Sequence, residues 1–462
     1  MVEEILPRQT PRSGLYHEVD RDHLFTQLLE ENKNVLLNVN LSGLNKSSTL
    51  AINEMSAELE KMGKKVYRFG LGQSPFPVPE EVVQSLRDNA FQKDYLPVIG
   101  LEGLREAVCG YIERKVGALY NPKLLLVGPG SKELLFLVQL AFDGELILPS
   151  PSWVSYIPQA KIIGRKVRLF PTEEEHGWKI SAKSLATLVE EDTLNDYSKP
   201  KILLLNYPNN PTGVTYTEGE LRNIAKVARK ANILVISDEI YGDLAFDGNY
   251  KSISRYYPEG TIISTGLSKW CGAGGWRLGV FIFPERLQWL HNAMSVIASE
   301  TYTSVSAPIQ HAAITAFKGS ADIERYLDDS RRIFMYLGSW AAEVLRGAGI
   351  TVNDPEGGFY LFLNFEKFED SMNEQGVETS NDLTSKLLSE TGVAILPGKD
   401  FSRPVTELTA RLAFVNFDGG NALDATLTEY DARELDLNFI TNYAPEVKEG
   451  ILKIVEWVEQ FS

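Results

Sequence analysis

Between about residues 80 and 325, short β-branched or leucine-rich runs alternate with amphipathic stretches, and this alternation constrains the fold more than any other feature. The runs are "KLLLVG" (123–128), "GELILPS" (144–150), "KILLLNYP" (201–208), "NILVISDE" (232–239) and "GTIISTG" (260–266). Helical periodicity separates several of them, as in "KELLFLVQLAF" (132–142) and "EGELRNIAKVARKA" (218–231). Near-continuous apolar strands suit a sheet covered on both faces, so the pattern predicts an α/β domain built on a large, mostly parallel sheet. From about residue 326 the texture changes. A long helical stretch, "ADIERYLDDSRRIFMYLGSWAAEVLRGAG", precedes three short strand candidates in "GFYLFLNF", "GVAILPG" and "ARLAFVNF". These shifts predict an N-terminal extension (1–44), a large domain (80–325) and a smaller α+β domain made from 45–79 and 326–462.

Bulk properties exclude several classes of partner. A formal net charge of -16 over 462 residues argues against nucleic acid or an anionic membrane as a general partner. Two cysteines, Cys109 and Cys271, suggest neither a disulfide framework nor a thiolate cluster, and five histidines show no paired helical spacing, so no metal is expected. "MVEEILPRQTPRSG" lacks the apolar core of a signal peptide, and no run is long enough to span a membrane. A cytoplasmic protein is the expectation. The extension carries one plausible helix, "RDHLFTQLLEENKNVLL", and "SSTLAINEMSAELEKMGKK" reads as the next.

In open α/β sheets, ligands bind beyond the carboxyl ends of the strands. The five runs lead into "GPGSK" (128–132), "PSPSW" (149–153), "NYPNNPTG" (206–213), "DEIY" (238–241) and "GLSK" (266–269). Parallel strands therefore send a lysine, an aspartate, a tyrosine, an asparagine, a tryptophan and a glycine-rich helix start into one crevice. Each has a structural alternative: a turn at "NPTG", a helix cap at Ser131, a core position for Trp153, a strand-end cap at Asp238. The conjunction is harder to assign to packing. A lysine that attacks a carbonyl must be partly unprotonated, and a guanidinium offers two donors to a phosphate. Together with a carboxylate to face a ring nitrogen, these demands describe pyridoxal 5′-phosphate.

"GLSKWCGAGGWRLG" (266–279) resembles the lysine signature of class I aminotransferases, pyridoxal-phosphate enzymes of fold type I. "NNPTG", "SDEIY", "YLPVIGLEGLREAV", "PEGGFY", "AILPG" and "ARLAF" follow the family's order, and the similarity runs from about residue 46 to the C-terminus. The resemblance implies that Lys269 binds the cofactor aldehyde and later carries the substrate proton. It implies that Asp238 partners the ring nitrogen, that Tyr241 and Asn210 donate to the ring oxygen, and that Trp153 stacks on the ring. Gly130, Ser131, Lys132, Ser268 and Arg277 would meet the phosphate. Tyr95 would reach it from a neighbouring subunit, which implies a homodimer with shared active sites. Arg411 and the Gly72 backbone would take the substrate α-carboxylate, beside Trp153 and Asn210.

Two stretches depart from the family pattern. Gly266 stands where many members have a phosphate-binding serine, with Thr265 and Ser268 as the nearest hydroxyls. Residues 421–447 look inserted, and read as surface decoration or a dimer contact. For substrate, Lys132 resembles a lysine that meets the distal carboxylate in bacterial-type aspartate aminotransferases, and "SSTLAIN" (47–53) resembles that subgroup too. The expected reaction moves an amino group between an L-amino acid, aspartate or glutamate first, and a 2-oxo acid. Aromatic, prephenate or alanine transamination stays open, as does a same-fold carbon–sulfur lyase. A transcription regulator's sensor domain fits poorly, because the short extension is not basic.

Overall fold

The computed structural model describes residues 38–41, 48–194, 199–431 and 433–462. Residues 45–462 group as one compact unit and residues 1–44 as another, of which only a short 3-10 turn, Val39–Leu41, falls among the described residues. The helix expected in the extension lies outside them.

Twelve strands are described in residues 45–462. In chain order they are β1 (Tyr67–Arg68), β2 (Leu125–Gly128), β3 (Glu145–Ser150), β4 (Val167–Pro171), β5 (Lys201–Asn206) and β6 (Leu234–Asp238). The others are β7 (Thr261–Gly266), β8 (Gly279–Ile282), β9 (Tyr360–Asn364), β10 (Val393–Ala394), β11 (Leu396–Pro397) and β12 (Thr409–Ala413). Seven form the main sheet in the order β2-β8-β7-β6-β5-β3-β4. All of its ladders are parallel except those made by β8, which runs against both β2 and β7. The fold is therefore α/β with a mostly parallel sheet, as the alternation predicts.

All five expected strands are present, and each is almost wholly buried, which is why each reads as an unbroken apolar run. Two more strands complete the sheet, of which only β4 departs from that pattern. β4 is an edge strand, half-exposed, and carries Arg168 within it; β8 is a four-residue run directly behind the glycine-rich segment. Helix starts are legible where side chains cap them. Thr217 accepts from the Glu220 amide while the Glu220 carboxylate accepts from the Thr217 amide, so Glu218–Lys230 begins there and buries Leu221, Ile224, Ala225 and Ala228 on one face.

Two smaller sheets complete the unit. β12 lies between β11 and β9, antiparallel to both, while β1 pairs in parallel with β10 and so joins the chain before residue 80 to its C-terminal part. The long helix is Ala321–Gly347 and the earlier one is Ser48–Lys61, both close to expectation.

The 421–447 segment corrects the expectation of surface decoration. It folds into the end of helix Gly419–Thr428, helix Leu437–Tyr443 and the start of Pro445–Val458. Tyr430, Phe439, Ile440 and Ala444 are buried in the largest apolar cluster, and Arg332 of the long helix donates to the Tyr430 carbonyl at 2.8 Å. Apolar side chains spaced along an insertion seek the core wherever a neighbouring helix offers a face. Phe439→Ala should therefore lower the stability to denaturant by about 3–5 kcal/mol, the range for deleting a core phenylalanine. A loss under about 1 kcal/mol, the size of an ordinary surface change, would make the segment peripheral.

Candidate active site

The parallel register places three polar residues side by side at one edge of the sheet. Asn206 pairs with Asp238 across β5 and β6, and Asp238 pairs with Ser264 across β6 and β7. The Asn206 side-chain amide donates to the Asp238 backbone carbonyl at 2.9 Å, and its oxygen accepts from the Asn210 backbone amide at 2.8 Å, which shapes the "NYPNN" turn. Asp238 is buried, and its carboxylate is held on both oxygens: the Tyr156 hydroxyl donates to Oδ2 at 2.7 Å and the Ser264 hydroxyl to Oδ1 at 3.2 Å. Burial raises the Asp238 pKa to about 6, while the donors from Tyr156, Ser264 and the Ile240 amide pull against that rise.

Lys269 follows β7 by three residues. Its Nζ donates to the Gly72 carbonyl at 2.6 Å and sits 5.5 Å from the centroid of the Tyr241 ring and 5.7 Å from that of Phe359. The crevice leaves the side chain partly accessible on one side, but protein packs around the others. That desolvation, followed by the charges of Arg411 and Arg277, lowers the Lys269 pKa from 10.5 to about 7, against a weaker opposing pull from Asp238. A lysine lowered this far has a neutral fraction at neutral pH that an ordinary lysine lacks, and so can act as a nucleophile or base.

At the other end of the crevice, β2 leads through Gly130 into the helix Ser131–Ala141. Gly130 has φ +87° and stands at the N-cap, so no side chain caps the first amides of the helix. A Cβ at 130 would collide with the Arg277 guanidinium, which donates to the carbonyls of Gly274 at 2.8 Å and Pro129 at 3.2 Å. Arg277 itself adopts φ +55°, a left-handed backbone uncommon for a side chain of its size and typical of functional turns. Lys132 stands at the mouth, 5.4 Å over the Trp153 ring, its pKa lowered by desolvation and then by Arg277. Open helix-start amides with two cations form an anion cradle.

These groups line one crevice of about 250 Å³. Ser131 and Lys132 come from the exit of β2, Trp153 and Tyr156 from β3, Asn206 and Asn210 from β5, Asp238 and Tyr241 from β6, and Ser268 and Lys269 from β7, with Gly72 and Arg277 beside them. All five decorated exits thus meet. Arg411 lies behind the lining, only 2% exposed, donating to Asn210 Oδ1 at 3.1 Å and to the Gly70 carbonyl. Gly130 lies against the Arg277 guanidinium rather than in the lining. Tyr95 is not brought to the crevice in this single chain and is 90% exposed.

Gly266 has a steric reason. A Cβ there would press on the Leu278 carbonyl and the Gly279 backbone, so the ladder between β7 and β8 leaves no room for serine. Ser268 lines the crevice, whereas Thr265 Oγ1 is buried with no partner among the described residues and does not reach it. Three contributors escape the sequence reading. Tyr156 stands three residues after Trp153 in "PSWVSY", Ser264 reads only as part of a strand, and Tyr360, whose hydroxyl lies 2.7 Å from that of Tyr241, reads as core.

Among the described residues, no helix is long and apolar enough to cross a membrane, and no group of His, Cys, Asp and Glu is placed to hold a metal ion.

Comparison with known proteins agrees with this geometry. Residues 64–414 match the family described as aminotransferase class I and II. An aspartate aminotransferase of Bacillus sp. (strain YM-2) is 32% identical over 373 residues, covering 79% of this chain and 91% of the relative. An asparagine–oxo-acid transaminase of Streptococcus mutans is 33% identical over 376 residues, covering 78% and 91%. Among solved structures, an aspartate aminotransferase of Thermus thermophilus with maleate superimposes with a TM-score of 0.77 at 24% identity, covering 91% of this chain and 99% of the other, and so speaks to the fold. With the family match spanning most of its length and relatives above 30% identity over more than three-quarters of it, the chain belongs to the class I and II aminotransferases.

Proposed function

We propose that this aminotransferase uses pyridoxal 5′-phosphate to move an amino group between aspartate or glutamate and a 2-oxo acid, as a cytoplasmic homodimer. The observation that carries the reading is Lys269, with a pKa of about 7, placed in one crevice with Asp238 and an anion cradle. The residues suit that cofactor end to end: open helix amides and Arg277 for a phosphate, Asp238 for a ring nitrogen, half-buried Trp153 for a ring face, Lys269 for an aldehyde.

When bound, the cofactor supplies a reactive aldehyde and an electron-withdrawing ring. Lys269 would hold it through its neutral amine and, once free, would move the proton at the substrate α-carbon. Asp238, whose carboxylate accepts from the Tyr156 and Ser264 hydroxyls, would hold a proton on the ring nitrogen. Tyr241 and the Asn210 amide would donate to the ring oxygen, and Gly130, Ser131, Lys132, Ser268 and Arg277 would hold the phosphate. Arg411 and the Gly72 backbone orient the α-carboxylate, since a guanidinium fork matches a carboxylate in two hydrogen bonds. Lys132 is the candidate for the distal carboxylate, next to Trp153. Exposed Tyr95 is assigned to the phosphate of a partner subunit. Residues 80–325 are assigned to the large domain, and 45–79 with 326–462 to the small one.

Three outcomes follow from these roles. Capture of added pyridoxal phosphate by cofactor-free protein, followed by absorbance, needs the neutral amine; its rate should be half-maximal near pH 7 and fall below that as Lys269 takes up a proton. A rate still climbing toward pH 10.5, the ordinary lysine value, would place the reactive amine elsewhere, and Lys269→Ala should capture nothing. Arg411→Lys should raise KM for both the amino and the oxo acid by about a hundredfold, the order expected when a desolvated bidentate pair is lost. Unchanged constants would remove it from the carboxylate site. Adding amino acids singly to the loaded enzyme should change the cofactor spectrum rapidly with aspartate and glutamate alone. Rapid change with aromatic amino acids or alanine would keep the reaction and discard the distal role of Lys132.

A further inference from the structure

Tyr360, the first residue of β9, is 1% exposed and touches three parts of the site. Its hydroxyl lies 2.7 Å from that of Tyr241. Its ring carries the Arg411 guanidinium, with the central carbon 4.7 Å from the ring centroid, and the Phe401 ring lies 5.0 Å from the same carbon. It also sets the space at Gly72, where any Cβ would run into the Tyr360 hydroxyl, and Gly72 supplies the carbonyl that accepts from Lys269.

Arg411 makes this arrangement informative. Its hydrogen bonds go to neutral acceptors, Asn210 Oδ1 and the Gly70 carbonyl, and its Nε is buried with no partner among the described residues. A carboxylate from the protein on this guanidinium would compete with the substrate. Aromatic faces orient a cation without neutralising it or occupying its in-plane donors. The hydroxyl pair has a direction as well. Either tyrosine can donate, but if Tyr241 directs its proton to the cofactor's ring oxygen, Tyr360 must donate to Tyr241, and a donor that also accepts is a stronger donor.

We propose that Tyr360 is a positioning residue that couples the carboxylate clamp Arg411 to the Tyr241 hydroxyl, its ring orienting the one and its hydroxyl strengthening the other. This rests on the pyridoxal-phosphate reading above. It separates two functions of one side chain, which two substitutions can divide. Among the described residues, Asp238, Lys269 and Arg411 are charged groups that act on Tyr241 and Tyr156 is a further titratable one, and neither substitution alters them.

The test uses loaded enzyme, with succinate as a non-reacting dicarboxylate measured by calorimetry and the pH titration of the bound cofactor's absorbance as a second readout. Tyr360→Phe keeps the ring and loses the hydroxyl. Succinate affinity should stay within about twofold, as the cation–π face remains, while the pH midpoint of the absorbance change moves upward because Tyr241 stabilises the ring oxygen less. Tyr360→Leu removes the face as well. Succinate binding should weaken about thirtyfold, the order of a desolvated cation–π contact, and KM for both substrates should rise with it. Wild-type affinity in Tyr360→Leu, or an unmoved midpoint in Tyr360→Phe, overturns the coupling, and the second decides even if the leucine variant fails to fold. A wild-type protein that neither captures pyridoxal phosphate at Lys269 nor transaminates would instead overturn the proposed function. Normal wild-type behaviour with unresponsive Tyr360 variants overturns this inference alone.

Discussion

The parallel hydrogen-bonded ladder from β3 through β5 and β6 to β7 is the constraint on which the site depends. Strands paired in parallel must all finish at the same edge of the sheet, and each must leave by a crossover before the next begins. Asn206, Asp238 and Ser264 stand abreast for that reason alone. β2 points the same way although it joins through β8, because two antiparallel pairings restore its direction. The helix start at Ser131 and the lysine at 269 therefore face one crevice despite their distance along the chain.

Electrostatics at that edge are lopsided. Lys269, Arg277, Arg411 and Lys132 gather around a single lining carboxylate among the described residues, Asp238. Burial works against charge here, raising the pKa of Asp238 and lowering those of Lys269, Lys132 and Arg411. Neutral donors and aromatic rings temper the cost. Tyr156 and Ser264 hold the carboxylate, while Tyr360 and Phe401 lie against the guanidinium. Such a set leaves positive charge available for phosphate and carboxylate groups, which suits an enzyme whose proposed cofactor and substrates are all anionic.

Much of this is legible in the sequence because burial leaves a one-dimensional trace. Strands covered on both faces read as apolar runs, and their exits read as glycine, proline and polar clusters. β4 leaves no such trace because it is a half-exposed edge, and the inserted 421–447 segment misleads because only the long helix beside it reveals where Tyr430 and Phe439 go. Individual site residues are legible when their chemistry is conspicuous, as with Lys269 and Asp238. Tyr156, Ser264 and Tyr360 are not, since a tyrosine or serine in an apolar run looks the same whether its hydroxyl meets a carboxylate or nothing.

By itself, then, the sequence determined the five buried strands, the order of their exits and the candidates for the reacting groups, because apolar periodicity and local turn chemistry are carried by neighbours along the chain. Only the tertiary structure decided the lowered pKa of Lys269, the support of Asp238 by Tyr156, and the seating of Arg411 on Tyr360. Desolvation and aromatic or hydroxyl contacts are set by residues distant in sequence, and their strength depends on distances and packing that no local pattern encodes.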